Sequence, residues 1–493
     1  MKYFFKVICL SILTVAFASC SKEYELPQEL VVYDFVWKGL NAYYLHQDEI
    51  TDLADTRFNS NLQLNSYLNT FTDYNSLYAS LLISSDVKST LVEEYATIVT
   101  PELRTGFTHG LEFGLFKEED SDTIIGYALD ILPLSYASDQ NIARGDYFYA
   151  IVNEDNDTID LNRNNYEDLL LNYTQDTLKL VMIDYEENIN GYNGTLNSKK
   201  TALVKKAYTY PSINLQNTLV DNGNNIGYLA YNNDFSQNYL TDLNNSFLRF
   251  KNENVNELVL DLRYNIGGGS FAKNISEIAS MITGQFTDEI LIKENWNTKA
   301  QTWFLENQPD SLVTKFPKVL NRATTINSLN LTDVYIILNG NSFTGSSAVE
   351  LLINSLKSHI NVHLIGNRTV GNNTGSITLY NSEDYDFPLK NNSHTVALQP
   401  IVLSFLNKDD LTYENGFSPN IALCANENPL DLGVLSETSD PILNSVLNYI
   451  STGNPVSNSG CNPNKFEYLF NSISGQRETD TGIFINQNLP NTN

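Results

Sequence analysis

The chain has 493 residues, which at about 150 residues per domain predicts about three domains. Hydrophobic residues make up 42% and charged residues 18%, so the chain is neither disordered throughout nor collagen-like. The net charge of −28 predicts repulsion from nucleic acid and from anionic membrane surfaces. With four Cys and five His, a multi-zinc protein is not expected, and no motif asks for a metal or a cofactor.

The first nineteen residues have the pattern of a secretory signal peptide. Two lysines precede an apolar run over residues 7–17, which is too short for a stable membrane span. The small residues Ala18 and Ser19 stand directly before Cys20, as in the lipobox of bacterial lipoproteins, where the cysteine becomes the acylated N-terminus. We therefore predict an outer-membrane lipoprotein, periplasmic or surface-exposed, that meets the membrane through its lipid anchor only. A plain signal peptide followed by an incidental cysteine is the alternative.

Two cysteines remain beyond this region, Cys424 and Cys461. An exported protein matures in oxidising surroundings, in which disulfides form and persist. A single Cys424–Cys461 disulfide is therefore a candidate, and two free thiols are the alternative. No later stretch of the sequence is apolar enough to predict a membrane span.

The segment 20–100 has helical character, because apolar residues between positions 35 and 44 and between 62 and 71 recur at helical spacing. We predict a small helical cap there. The segment 101–190 changes to β character. Its predicted elements are strands over 110–116, 124–131, 147–152 and 177–183 and a helix over 164–171. Arg144-Gly145-Asp146 is interpreted as a turn into a strand rather than as an adhesion motif. The segment predicts a compact β-domain.

The segment 200–450 alternates strands with helices. The predicted strands are 226–231, 258–262, 334–338 and 362–365, and the predicted helices are 239–248, 271–282 and 348–356. This alternation is typical of an α/β domain with substantial parallel pairing. The segment 451–493 is polar and rich in Asn and Thr, and we expect a loose tail.

The first motif with chemical potential is LDLRYNIGGG over residues 260–269. A predicted buried strand ends in a charged pair, and three glycines then lead into a helix. Glycines allow backbone N–H groups to approach a ligand closely, and a helix N-terminus adds positive potential. The alternative is a tight turn between strand and helix.

The second motif is LNGNSFTGSSAVE over residues 338–350, again a strand, a loop of small residues and the start of a helix. Ser346 stands where a phosphate-binding loop would carry lysine, which argues against an NTPase. Ser347 and Glu350 have the spacing of a capping box. The functional interpretation is that Ser347 is a nucleophile at a helix N-terminus, where the dipole stabilises a developing oxyanion.

The two motifs, in this order, resemble those of the S41 peptidases, the tail-specific or C-terminal processing proteases. Residues 261–268 resemble the family's Asp-Leu-Arg-x-Asn-x-Gly-Gly turn, and residues 344–350 resemble its nucleophile loop. Residues 416–420 are similar to its late Gly-[Phe/Ile]-x-Pro-Asp element, with Asn420 in place of the Asp. The resemblance implies an α/β multidomain fold. Its parts would be a small N-terminal helical domain over 20–100, a PDZ-like β-domain over 101–190 and a ClpP/crotonase-like catalytic core over 200–450.

The resemblance also implies roles for individual residues. Ser347 would be the nucleophile, with Glu350 as the glutamate of its loop. The oxyanion hole would be formed by backbone N–H groups of Gly267, Gly268 and Ala348. The resemblance implies one further catalytic position, the one that supplies the general base.

That base is a lysine 25 residues after the serine in the family, and this chain has Asn372 there. Many relatives carry a glutamine at the place of Ser376. An amide cannot take the serine proton, and loss of a catalytic base typically costs about 10²–10⁴ in rate. Arg368 is always protonated and is a poor base. The substitutes considered on chemistry alone are Lys357, Lys390, Lys408, His359, His363 and His394.

The sequence therefore predicts an S41-like serine endopeptidase that cleaves protein C-terminal tails or unfolded peptides and is impaired by Asn372. The alternative is a non-catalytic relative that binds peptides or small apolar ligands at the cell envelope. A third hypothesis is a surface lipoprotein of a nutrient-uptake system, but the two motifs do not require it. The expected partners are peptides or unfolded-protein C-termini, and nucleic acid is not expected.

Overall fold

The computed structural model describes residues 26–98, 103–118, 121–172, 174–188, 191–267, 270–321, 323–338, 346–423, 427–454, 466–475 and 483–485. They form a mixed helix and strand fold of several units, as the sequence predicts. Within these ranges, no helix is both long enough and apolar enough to cross a membrane. Lipidation at Cys20 and the Cys424–Cys461 pairing fall outside the described residues and stay predictions.

The N-terminal unit is helical. Its elements are α1 (Val31–Tyr43), α2 (Asn61–Leu68), α3 (Tyr74–Ser80) and the short strand β1 (Thr90–Val92). The side chains of Ser60 and Asp73 cap α2 and α3 by accepting backbone N–H groups of the first turn. The apolar face of α1 packs into the same hydrophobic cluster as the α/β part of the chain. The helical cap therefore shares a core with the domain that it covers.

An antiparallel sheet follows. The strands of this segment are β2 (Thr105–Thr108), β3 (Leu111–Glu118), β4 (Ile124–Ile131), β5 (Tyr147–Val152), β6 (Thr158–Asp160), β7 (Thr177–Asn188), β8 (Gly191–Val204) and β9 (Lys206–Thr209). The short strands β2 and β9 pair with each other in a separate two-stranded sheet. The sheet runs in the order β3-β4-β5-β7-β8, with β6 beside β5. In place of the helix predicted over 164–171, the structure has a five-residue π turn, Glu167–Leu171. Leu170 is the one buried side chain of this turn.

The α/β part contains α4–α8 and β10–β23. Its elements in chain order are β10 (Leu215–Asp221), β11 (Asn224–Ala230), α4 (Gln237–Asn252), β12 (Glu257–Asp261), β13 (Ser270–Phe271), α5 (Ala272–Ile282), β14 (Ile290–Trp296), α6 (Thr298–Asn307), β15 (Val313–Lys315), β16 (Val319–Leu320), β17 (Thr324–Thr325), β18 (Asp333–Ile337), α7 (Ser347–Lys357), β19 (Asn361–Gly366), β20 (Thr374–Ser376), β21 (Ala397–Gln399), β22 (Ile401–Asn407), β23 (Ile421–Ala422) and α8 (Pro441–Thr452).

The main sheet has the order β10-β11-β12-β18-β19-β23, and every pairing from β11 onward is parallel. Side chains alternate between its two faces. Leu258 and Leu260 pack in one cluster with α4, α5 and α7, and Val259 packs in another with α8. Burial on both faces explains why these strands are continuous apolar runs in the sequence. The carboxyl ends of parallel strands meet at one edge of a sheet, so the ends of β12, β18 and β19 lie side by side there.

The last segment is not the loose tail that its polarity predicts. It contains β24 (Phe466–Asn471), α9 (Ser472–Gly475) and β25 (Ile483–Phe484). β24 adds an edge strand beside β3, and β25 lies between β13 and β20 in a second six-stranded sheet. The expectation for 451–493 is therefore wrong at both places. The physical reason is that both strands pair with sheet strands far away in the sequence and bury apolar side chains, among them Phe466 and Ile483, although the segment is polar overall.

Candidate active site

The predicted nucleophile lies at the start of α7, and the residue before it caps the helix. The hydroxyl of Ser346 accepts the N–H of Val349 at 3.3 Å, and its carbonyl accepts the N–H of Glu350 at 2.9 Å. Ser347 is the first helical residue and is 1% exposed. The capping box predicted between Ser347 and Glu350 is therefore wrong by one residue, because Ser346 has the extended backbone that a cap needs. The Glu350 carboxylate is left for a different contact.

Glu350 fastens the loop that follows β19 against the first turn of α7. Its two carboxylate oxygens accept the backbone N–H groups of Gly371 and Asn372, each at 2.7 Å. Ser347 and Glu350 are three residues apart and lie on one face of the helix. The contact therefore brings the backbone at position 372, where the family has its base, to the helix turn that carries the serine.

The loop itself needs a glycine at position 371. Gly371 has a φ of +98°, and a Cβ built on it would lie 2.1 Å from the carbonyl oxygen of Glu414. Thr369 ties the loop to the late Gly-Phe-Ser-Pro-Asn element, since its N–H donates to the Phe417 carbonyl at 3.0 Å and its hydroxyl accepts the Phe417 N–H at 2.8 Å. The two family-like segments 366–372 and 416–420 therefore support each other.

The environment of Glu350 contains one cation that the sequence did not suggest. Burial raises the pKa of the Glu350 carboxyl group, whereas hydrogen bonds from Thr369, Asn372 and Gly371 and the positive charge of Lys88 lower it. Lys88 lies close enough to act on this buried carboxylate, although it is far away in sequence and belongs to the segment before β1. Only the tertiary fold reveals this proximity, since the residues around Lys88 form no motif.

The charged pair of the first motif is buried away from solvent. Arg263 is 1% exposed, and its guanidinium group binds Asp261 and Asp440, each at 2.7 Å, and Glu427 at 3.0 Å. Asp440 also caps α8, accepting the N–H of Ile442 at 2.9 Å. Arg263 therefore joins the end of β12 to the start of α8. Sequence reasoning missed Glu427 and Asp440 as its partners because they are distant in the chain.

The β-domain reaches this same cluster. Arg144, from the turn before β5, donates to the Glu427 carboxylate, which Arg263 also binds. Tyr264 donates its hydroxyl hydrogen to the other oxygen of Glu427. Burial alone would raise the pKa of Glu427, but Arg144 and Arg263 lower it to about 2. Arg144-Gly145-Asp146 is thus a turn into a strand, as predicted, with the added role of a buried link between the two units.

The turn after β12 is held by Asn265. Its side chain donates to the carbonyl groups of Tyr231 and Asn233, and its Oδ1 accepts the N–H of Gly267 at 3.0 Å. Gly267 has a φ of +74°, which explains the glycine. In this structure the Gly267 N–H is therefore directed at Asn265.

Of the other two predicted oxyanion donors, the structure describes Ala348. Gly268 lies outside the described residues. Ala348 is the second residue of α7, where an N–H group has no acceptor within the helix and faces outward from its N-terminus. The oxyanion hole of Gly267, Gly268 and Ala348 stays a prediction.

The structure places the substitute bases considered from the sequence in other surroundings. Lys357 ends α7, about 15 Å along the helix axis from Ser347. His359 packs against the rings of Phe286 and Phe316. The remaining contacts are those of His363 with Asp333, Lys390 with the Phe387 ring, His394 with Phe35 and Arg368 with the carbonyl of Asn415, while Lys408 lies in the charge environment of His359.

The fold and the site together define a class: an α/β protein whose parallel sheet carries a serine at the N-terminus of a helix that follows a sheet strand. Residues 225–421 match the model of the family described as Peptidase family S41. This α/β part belongs to the S41 peptidase family, and the resemblance predicted from the two motifs is confirmed.

Three solved structures are similar to this chain, and the first of them supports the fold. A protein described as a candidate S41 protease from Bacteroides fragilis NCTC 9343 is similar with a TM-score of 0.61 and 20% identity, over 85% of this chain and 97% of that one. The photosystem II D1 C-terminal processing protease is similar with a TM-score of 0.41 and 17% identity, over 81% and 94% of the two chains. Mature CPAF gives a TM-score of 0.39 and 13% identity, over 87% and 99%. No curated protein matches the sequence.

Proposed function

We propose that this chain is a serine peptidase of the S41 type that hydrolyses peptide bonds in protein C-terminal tails or unfolded peptides, with Ser347 as the nucleophile. One observation carries the proposal. Glu350, on the same helix face as Ser347, holds the backbone at Gly371 and Asn372 against the first turn of α7. The contact joins the helix turn that carries Ser347 to the base loop, and both lie within the family-matched segment.

The chemistry would be acyl transfer. The Ser347 hydroxyl oxygen attacks the scissile carbonyl carbon, and the N–H of Ala348 and the positive end of α7 stabilise the oxyanion that forms. The serine needs a base to take its proton, and the Asn372 amide cannot do so. Hydrolysis at the family's usual rate therefore requires a base from elsewhere in the chain, and without one the peptidase is impaired by about 10²–10⁴.

A second function is favoured by Asn372 itself. A chain that keeps the scaffold around Ser347 and the antiparallel sheet but has an amide at position 372 would capture peptides or small apolar ligands at the cell envelope without turning them over. In both functions we propose that the β-domain over 101–190 is PDZ-like and binds peptide ends. The lipobox-like sequence before Cys20 supports attachment to the outer membrane by lipid.

The test is digestion of an unfolded protein by the whole chain, compared with Ser347→Ala and Asn372→Lys. Ser358→Ala, at the opposite end of α7, is the matched control and should behave as the wild type. Cleavage by the wild type that is lost in Ser347→Ala supports the peptidase. Cleavage only by Asn372→Lys supports the binding protein on an intact peptidase scaffold. Cleavage that persists in Ser347→Ala would refute Ser347 as the nucleophile.

A further inference from the structure

We propose that Lys88, from the N-terminal helical unit, is the general base that takes the proton of Ser347, in place of the lysine missing at position 372. The inference rests on the proposed peptidase function and names the group that this function lacks. It rests on the contacts that hold the segment before β1 close to the base loop.

The backbone around Lys88 is held in one place. The Asp86 carboxylate accepts the N–H groups of Lys88 and Ser89, both at 2.9 Å, and the Ser89 hydroxyl at 2.6 Å. The Ser89 hydroxyl in turn accepts the N–H of Ile401, the first residue of β22, at 3.0 Å. The segment is thus tied by a side chain to the second sheet of the α/β part.

Strand register then directs Lys88 toward the loop of Asn372. β1 runs antiparallel to β21 with Thr90 opposite Gln399, so continuing the register brings Lys88 abreast of Ile401. Ile401 is paired with Ser376 at the end of β20, which begins two residues after Asn372. The segment carrying Lys88 therefore lies across Ile401 from the strand that leads directly out of the base loop.

The side chains at the end of the base loop and on β20 are shorter than those that the family resemblance implies. Asn372 and Ser376 are both shorter than the lysine and glutamine that the family resemblance would place there. The charge of Lys88 acts on the buried Glu350 carboxylate, whose partners are the backbone N–H groups of Gly371 and Asn372. A lysine on a flexible four-carbon stem can thus reach the helix face shared by Glu350 and Ser347.

The proton transfers balance with this assignment. The neutral Lys88 amine takes the hydroxyl proton as the Ser347 oxygen bonds to the scissile carbonyl carbon. The resulting ammonium gives that proton to the leaving amine nitrogen as the C–N bond breaks and an ester remains on Ser347. Water then attacks the ester, Lys88 takes a proton from it, and the proton returns to the Ser347 oxygen as the acid product leaves.

The surroundings predict an alkaline pH dependence. Two carboxylates, Glu350 and Asp86, lie near the Lys88 segment. The nearby hydroxyl groups of Tyr44 and Tyr78 stay protonated, because burial raises the pKa of both. A lysine must lose its proton before it can act as a base, so hydrolysis should increase as the pH rises from about 7 toward about 10.

The experiment follows two readouts in the full-length chain: hydrolysis of an unfolded protein, and phosphonylation of Ser347 by a fluorophosphonate measured by intact mass. The variants are Lys88→Met, Lys88→Arg, which keeps a charge without a usable base, and Lys38→Met as the matched control from an exposed site of the same unit. We expect both Lys88 variants to lose about 10²–10⁴ in kcat/KM with KM little changed, and Lys38→Met to match the wild type.

A double variant tests whether a lysine at position 372 restores activity, and the two readouts distinguish failure of the base assignment from failure of the peptidase function. Asn372→Lys added to Lys88→Met should restore activity, which also shows that the Lys88 variant is folded. Equal hydrolysis and equal Ser347 labelling in wild type and Lys88→Met would overturn the proposal while leaving the peptidase function intact. Lys88-dependent labelling without peptide hydrolysis would keep the base assignment and reject the peptidase function. A wild type that neither labels nor hydrolyses would overturn the base assignment as well.

Discussion

Replacing Arg263 by methionine should strongly destabilise the fold. The guanidinium group is the shared partner of three carboxylates, and Asp261 and Asp440 are 2% and 0% exposed. Methionine fills much of the volume but provides no charge and no hydrogen-bond donor. Removing one partner of a buried ion pair typically costs about 3–5 kcal/mol, because the charge left behind is desolvated and uncompensated. We expect at least this loss, since Arg144 compensates only Glu427.

The measurement is urea unfolding of the full-length chain, followed by the fluorescence of its three tryptophans. Arg249→Met is the matched control, because Arg249 pairs with Glu253 on the exposed side of α4, with the arginine side chain 53% exposed. Exposed pairs of this kind contribute about 0.2–1 kcal/mol. The midpoint should therefore fall far more for Arg263→Met than for Arg249→Met, without a matching change in the slope.

A second variant separates the effect of the positive charge from that of the hydrogen-bond geometry. Arg263→Lys keeps the positive charge but has a single ammonium group, which cannot reproduce the fork that spans Asp261, Glu427 and Asp440. It should recover only part of the lost stability. Equal midpoints for Arg263→Met and Arg249→Met would refute the view that this arginine is a structural link between β12 and α8.

Three further outcomes follow from the site. Because the folded pKa of Glu427 is about 2 and the unfolded value is about 4.3, its stabilisation is complete above about pH 4.3 and is lost as pH falls toward 2; Glu427→Gln should flatten that part of a pH series of unfolding midpoints. Ser346→Ala should cost about 1 kcal/mol of stability as a lost helix cap, whereas Ser347→Ala should cost less, as thermal unfolding would show. Gly371→Ala should lower the melting temperature and displace the base loop, because its Cβ would collide with a backbone carbonyl; equal melting curves would contradict this.

The centre of the α/β part could be predicted from the sequence almost to the residue. β12 and β18 were predicted within one residue of their observed ends, and α5 and α7 likewise. These elements are buried, so their apolar pattern is continuous and strong. The signal came from burial, which is why it was clearest in the middle of the protein.

The elements that were missed or misjudged lack that signal. β8 over Gly191–Val204 is rich in Asn, Thr, Ser and Lys, so no apolar alternation marks it. β24 and β25 are short and sit among polar residues, and their pairing with β3 and β20 is decided by long-range contacts. A sequence pattern reports which face a residue buries, and it carries little information on strands whose partners lie hundreds of residues away.

The site divides in the same way. Ser347, Glu350 and Asn372 could be selected from the sequence through the family resemblance, which places two of them in one motif and the third 25 residues after the serine. Lys88, Glu427 and Asp440 could not, since the fold brings them in from the first and last fifths of the chain. Local motifs therefore identify the reacting group, and tertiary packing supplies the groups that set its charge environment.

The contact made by Glu350 explains how position 372 can lose its lysine without loss of the site. The carboxylate binds backbone N–H groups, which every residue except proline provides, so this contact does not depend on the side chain at 372. Under the proposed function, the identity of that side chain bears on proton transfer. A base introduced at 372 should find the loop already in place, and a base arriving from Lys88 would meet the same serine. The loop geometry and the source of the base are thus separable properties of this fold.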